Sequence, residues 1–195
     1  MAHPHLELEA EATTWWRYAI DCARTLRAHR QPPAVDVWGP ILAPGEHGLM
    51  PVGNLAYSRL YGGDGRYHQS NLFVFGKPEF VLGALGVNAL VNHQRRAEAQ
   101  RRAAVQWRDH QVAPVFVTSA RLWCSVARHG WISFSLNDIL EFHPDLDNWA
   151  LTLSFRGAVV PLRLQGPAAP AVALWVAVGV FGDQWARDPR LTRLQ

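Results

Sequence analysis

From Leu8 to Leu26 the apolar residues recur at spacings of three and four: Leu8, Ala12, Trp15, Ala19, Cys22 and Leu26, with Trp16 and Ala23 widening the stripe. That period predicts an amphipathic helix over 7–30, ended by Gln31-Pro32-Pro33. Thr13 or Thr14 offers a hydroxyl for the first-turn amides of a shorter helix starting at Trp15. Residues 31–48 hold four prolines and three glycines, the composition of a linker wrapped on a surface rather than of a regular element.

The pattern then changes to strands. Runs at 51–61 and 66–75 flank Gly62-Gly63-Asp64-Gly65, a cluster able to supply the positive φ angles of a hairpin turn, so a β-hairpin is expected. Strand alternation places Leu55, Tyr57, Arg59 and Tyr61 on one face. Two tyrosines bracketing an arginine suit stacking on a ligand, and the plainer reading is cross-strand aromatic packing over a core edge.

Residues 79–108 contain no helix breaker except Gly83 and Gly86, and Pro78 stands where a first-turn proline is tolerated. One inserted helix of about 45 Å is expected there. Its first part, 80–91, is apolar around its circumference, whereas 92–108 carries Arg95, Arg96, Arg101, Arg102 and Arg108. Short β runs follow at 115–118, 121–127, 131–135, 139–143, 149–155 and 158–164. Within them Leu151, Leu153 and Phe155 alternate with Thr152 and Ser154, giving one dry and one wet face. Gly166-Pro167 opens a final apolar helix through about residue 185. The apolar runs 80–91 and 171–182 fall short of the roughly 20 residues that cross a bilayer.

Composition narrows the class. The 195 residues are 49% hydrophobic and 18% charged and include nine Trp, which excludes a chain too polar to fold. Net charge is only +3, so the clustering of arginine after residue 94 matters more than the total. Cys22 and Cys124 lie far apart in apolar contexts, which argues for core thiols and a reducing compartment. The start, with His3, His5, Glu7, Glu9 and Glu11, does not read as a signal peptide. A cytoplasmic protein, peripheral at most to the inner membrane, is the expectation.

Candidate chemistry is sparse. The nine histidines show no His-Glu-x-x-His motif and no i, i+4 pair, and the two cysteines form no Cys-x-x-Cys, so no metal site is expected. Glu141, His143, Asp145 and Asp147 gather around Pro144, but the sequence continues Asn148-Trp149 without the glycine of a calcium loop, and a solvated hairpin turn is the better reading. There is no Gly-x-Ser-x-Gly elbow or phosphate-binding glycine motif. No catalytic residue and no cofactor are expected. The arginine-rich segment has three readings: a solvated helix packed on the fold, contact of Arg95, Arg96, Arg101, Arg102 and Arg108 with anionic lipid headgroups below an embedded apolar half, or phosphate contacts to nucleic acid. Asn88 and Asn92, one turn apart by the apolar run, suit a contact with a second copy of the chain, a homodimer.

The order of the later elements carries a resemblance. The stretch from Val115 through Thr118 and Arg121-Leu122, then Asn137-Asp138-Ile139 after the strand at 131–135, then the strand at 149–155 and a terminal helix, resembles bacterial pleckstrin-homology-like and GRAM-like domains. It covers roughly 111–182, with the run at 51–75 a candidate for the remaining strands. The part around Tyr57 to Tyr67 and the arginine-rich segment is similar to uncharacterised actinobacterial proteins. The resemblance implies an α+β fold: a pleckstrin-homology-like β-roll capped by a C-terminal helix, with an N-terminal amphipathic helix and a long inserted helix. The organisation expected is an N-terminal helix and linker over 1–37, then a domain over 38–195 with the helix inserted at 79–108. Phosphoinositide-binding members use a basic loop between their first two strands, and 62–65 holds Asp64 and no Lys or Arg, so no binding residue is carried over. The function expected is a non-enzymatic binding or scaffolding module for a protein partner or the anionic inner membrane surface. The alternatives are a nucleic-acid-associated protein and, third, an enzyme without a recognisable motif.

Overall fold

The computed structural model describes residues 4–63 and 104–195. Helix α1 (Pro4–Arg27) is followed by β1 (Gly53–Tyr61), β2 (Gln106–Val117), β3 (Arg121–Val126), β4 (Gly130–Ser135), β5 (Ile139–Asp145), β6 (Ala150–Phe155), β7 (Leu162–Gln165) and helix α2 (Ala169–Phe181). The strands form one antiparallel sheet in the order β4-β3-β2-β1-β7-β6-β5.

One short connection dictates the shape of that sheet. Its edge strands β4 and β5 are joined only by the 3-10 turn Leu136–Asp138. In a flat sheet of seven strands they would stand about 29 Å apart, whereas three extended residues reach about 10 Å. The sheet therefore curls into a half-barrel. Phe134 of β4 stacks on Phe155 of β6 with ring centroids 5.1 Å apart, and the Arg156 amide donates to the Asp138 carbonyl, closing the corner.

The concave side is the core. Leu55, Val115, Val117, Leu122, Cys124, Leu151, Leu153, Leu162 and Leu164 are all buried there. Helix α2 plugs one end, with every residue from Ala169 to Ala177 buried, which explains why its sequence has no polar face. Close approach requires small residues: a Cβ on Gly53 would come within 2.6 Å of Ala168 Cβ, and one on Gly179 would collide with Leu136. Helix α1 lies on α2 through buried Ala19, Cys22 and Ala23, so its apolar stripe belongs to the same core. Both cysteines are free and buried. Among the described residues no helix is long and apolar enough to cross a membrane.

Two expectations are corrected. The first strand was expected to form a hairpin with 66–75, but β1 pairs with β2 along its whole length and with β7 on its other edge from Ala56 to Arg59. A strand so placed has no free edge there for a hairpin partner, and β2 is supplied by chain beyond the insertion. The inserted helix was expected to reach Arg108. Residues Gln106, Trp107 and Arg108 instead pair with Tyr61, Leu60 and Arg59, and ladder pairing overrides a helix propensity that is only a weak preference. The rest of that expected helix, with Arg95, Arg96, Arg101 and Arg102, and the run at 66–75 lie outside the described residues.

Candidate functional site

The end of the half-barrel opposite α2 collects the C-terminal end of β1, the start of β2, the β3–β4 turn at 127–130 and the β6–β7 connection at 156–161. The alternation of β1 turns Leu55, Tyr57 and Arg59 inward, as the sequence predicts. Tyr57 is 3% and Arg59 9% exposed. Arg59 reaches across the curl: its Nε donates to the Pro161 carbonyl (3.2 Å), Nη1 to the Tyr57 hydroxyl (3.1 Å) and Nη2 to the Val160 carbonyl, while the guanidinium lies 4.8 Å from the Phe134 ring centroid. These acceptors carry partial charges only. Among the described residues no carboxylate pairs with this buried cation.

A β-bulge shapes the mouth. Tyr57 faces Gln111 and Arg59 faces Arg108, so Asp109 and His110 together stand opposite Ser58 alone. Asp109 takes the left-handed conformation, φ 56°. Its carboxylate accepts from the Tyr61 hydroxyl at 3.0 Å, and Gln111 Oε1 accepts from the Ala127 amide at 2.7 Å, tying the bulge to the β3–β4 turn. Burial raises the Tyr61 phenol, and the bond to Asp109 raises it further. Burial likewise raises Tyr57, with the Arg59 hydrogen bond working against it.

The result is an open cavity of about 480 Å³ lined by Tyr57, Arg59, Asp109, His110, Arg128 and His129, with Val160 at its side. Among the described residues, two permanent cations and two imidazoles line it with one carboxylate. Cys124, wholly buried beside Arg59, is held well above the usual thiol range by burial, so it stays protonated and unreactive.

Tyr61 does not join the inward pair but forms the rim, bound to Asp109. Arg108 sits on β2 rather than on a helix, and its Nε donates to the Tyr61 carbonyl at 3.1 Å with the guanidinium 5.5 Å from the Tyr61 ring centroid. The acidic run around Pro144 is the β5–β6 hairpin: Asp145 accepts from the Asn148 amide and Asp147 pairs with Arg193. Among the described residues no group of three potential ligands gathers for a metal.

A second polar cluster went unread in the sequence. Glu46, in the proline- and glycine-rich segment, has a side chain only 2% exposed. It accepts from the Ala43 amide (2.9 Å), from Arg121 Nε (3.1 Å) and Nη2, from the Thr118 hydroxyl and from Trp123 Nε1 (3.4 Å). Burial alone would raise its carboxyl, but Arg121 and then the other donors outweigh that and hold it down at about 2. The signal was present only as Thr118 and Arg121 three residues apart, with nothing local to name their partner. No protein-family model matches the chain, and no curated protein matches its sequence.

Proposed function

We propose that this chain is a non-enzymatic binding module of pleckstrin-homology-like architecture that holds an anionic lipid headgroup in the Arg59 cavity, at the inner membrane surface. The architectural part is supported by a curled seven-stranded antiparallel sheet plugged by one apolar helix. The observation that carries the functional part is Arg59 itself, a guanidinium nine-tenths buried whose acceptors are two carbonyls and a phenol. Among the described residues this cation has no counter-ion; leaving it so is costly, and an anion entering from the open side relieves that cost. Arg128, on the exposed turn at the mouth, adds attraction for a phosphate, which accepts the planar guanidinium fork well.

The arginines at 95, 96, 101 and 102, in the sequence between β1 and β2, fit the same reading by their charge. Polybasic segments beside an anionic leaflet contribute about 1 kcal/mol per residue near the surface.

The test is co-sedimentation with phosphatidylcholine vesicles with and without phosphatidylserine, with duplex DNA as competitor, alongside a nuclear magnetic resonance titration with glycerol 3-phosphate. Binding that requires the anionic lipid, resists DNA and weakens in Arg128→Ala is expected, with glycerol 3-phosphate shifting the Arg59 and Arg128 resonances. Equal binding to neutral and anionic vesicles, or unmoved resonances at these arginines, defeats the proposal.

A further inference from the structure

The most exposed large apolar side chains among the described residues are Trp38, 85% exposed, and Ile41, 93% exposed. They flank Gly39-Pro40 in one turn of the segment that runs over the outer face of β2, β3 and β4. Their exposure is not looseness. Val35 and Gly48 bridge to each other, Gly48 bridges to Thr118, and Glu46 is held by Arg121, Thr118 and Trp123. Gly39, at φ 121°, lies so close to the Trp131 indole that any side chain there would strike it.

These anchors give the segment a direction. Gly48 sits at Thr118, where β2 turns into β3; Glu46 sits by Arg121 and Trp123; Gly39 sits on Trp131, the residue that follows the Arg128-His129-Gly130 turn. Traced backwards, the segment travels along the outer face from the β2–β3 end to the β3–β4 turn. The Trp38–Ile41 tip is therefore carried to the end of the half-barrel where the cationic cavity opens. Val159 of the β6–β7 connection, 42% exposed, and Val105, 42% exposed, add apolar surface at this same end.

We infer that Trp38 and Ile41 form a wedge that enters the interfacial layer of an anionic bilayer when the cavity meets its headgroups. The inference rests on the proposed membrane reading and adds a second, apolar contact to it. A convex tip, rather than a groove, suits a fluid interface that needs no matching pocket. Tryptophan next to an aliphatic side chain matches the polarity gradient between headgroups and acyl chains. Arg128, on the turn that precedes Trp131, supplies a positive charge that complements the negative surface.

The experiment compares wild type, Trp38→Ser/Ile41→Ser and Arg59→Met/Arg128→Ala on mixed phosphatidylcholine–phosphatidylserine vesicles. Wild type and Trp38→Phe are also compared on vesicles with brominated acyl chains. Loss of the wedge is expected to weaken vesicle binding by about tenfold or more while the glycerol 3-phosphate titration is kept. Bromine quenching is expected in wild type and reduced in Trp38→Phe. Vesicle binding unchanged in the serine double variant, equal quenching in the two proteins, or no vesicle binding by wild type overturns the wedge. Binding that needs Trp38 and Ile41 but neither arginine leaves the wedge standing and defeats the cavity reading instead.

Discussion

Glu46 and Arg121 face each other through two parallel hydrogen bonds, Nε to Oε1 at 3.1 Å and Nη2 to Oε2, with the carboxylate sealed from solvent and the arginine 28% exposed. The arginine also lies 4.7 Å over the Trp123 ring, so the pair and the outer aromatic face are one unit. This pair fastens the segment before β1 to the β2–β3 corner. Replacing Glu46 by Gln keeps the shape but removes the charge that accepts from Arg121, at a cost of about 2 kcal/mol, or a fall in Tm of roughly 4–8 °C. Arg121→Ala should cost more, because it leaves a sealed carboxylate without its cation. A thermal denaturation series in which the glutamine variant melts like wild type would remove the clamp from the account.

The same carboxylate sets an acid limit. Its folded value of about 2 lies below the ordinary 4.5, so its contribution to stability is complete above about pH 4.5 and is lost as pH falls towards 2. Asp188, lowered chiefly by hydrogen bonds from Arg190, acts in the same direction. Urea midpoints measured from pH 5 to pH 2 are expected to fall in wild type and to fall less steeply in Glu46→Gln. Identical slopes would mean that the pair is not maintained in solution.

The sequence pattern located most of the fold because burial is written in periodicity. The stripe from Leu8 to Leu26 became α1, the apolar run before Gly182 became the plug, and each short β run after residue 114 overlaps a strand, although the strand expected at 115–118 begins nine residues earlier, at Gln106. What it missed were partners far apart in the chain. The turn residues 62–65 argued for a local hairpin, yet β1 takes β2 and β7, strands supplied from beyond the insertion. Alternation did place Tyr57 beside Arg59, but not the cavity around them, because Asp109 and Arg128 reach it through a bulge and a turn with no local sequence mark. Glu46 was illegible for the same reason.

The bulge yields a conformational test. Asp109 adopts φ 56°, a region that asparagine and aspartate tolerate and β-branched residues do not. Asp109→Asn should be close to neutral in stability. Asp109→Val should lose about 1–2 kcal/mol from backbone strain, along with the bond to Tyr61. Comparable chemical-denaturation midpoints for the two variants would show that the bulge is not held in this form.

Arg59 separates folding from binding most sharply. Its stem is packed inside the curl, and its fork serves the Val160 and Pro161 carbonyls, the Tyr57 hydroxyl and the Phe134 face at once. Lysine fits the same space and keeps the charge, but a compact ammonium cannot span acceptors placed for a planar fork. Arg59→Lys is therefore expected to lose about 1–2 kcal/mol of stability from the unmatched acceptors while retaining part of the affinity for anionic vesicles. Methionine keeps the stem and removes the cation, so Arg59→Met should lose that affinity even where its stability is no lower than that of the lysine variant, because the carbonyls go unmatched in both and only one leaves a buried charge. Denaturation midpoints and vesicle binding of the two variants decide the matter. Affinity that follows stability across the pair, rather than charge, would make Arg59 a strut of the half-barrel and not a binding group.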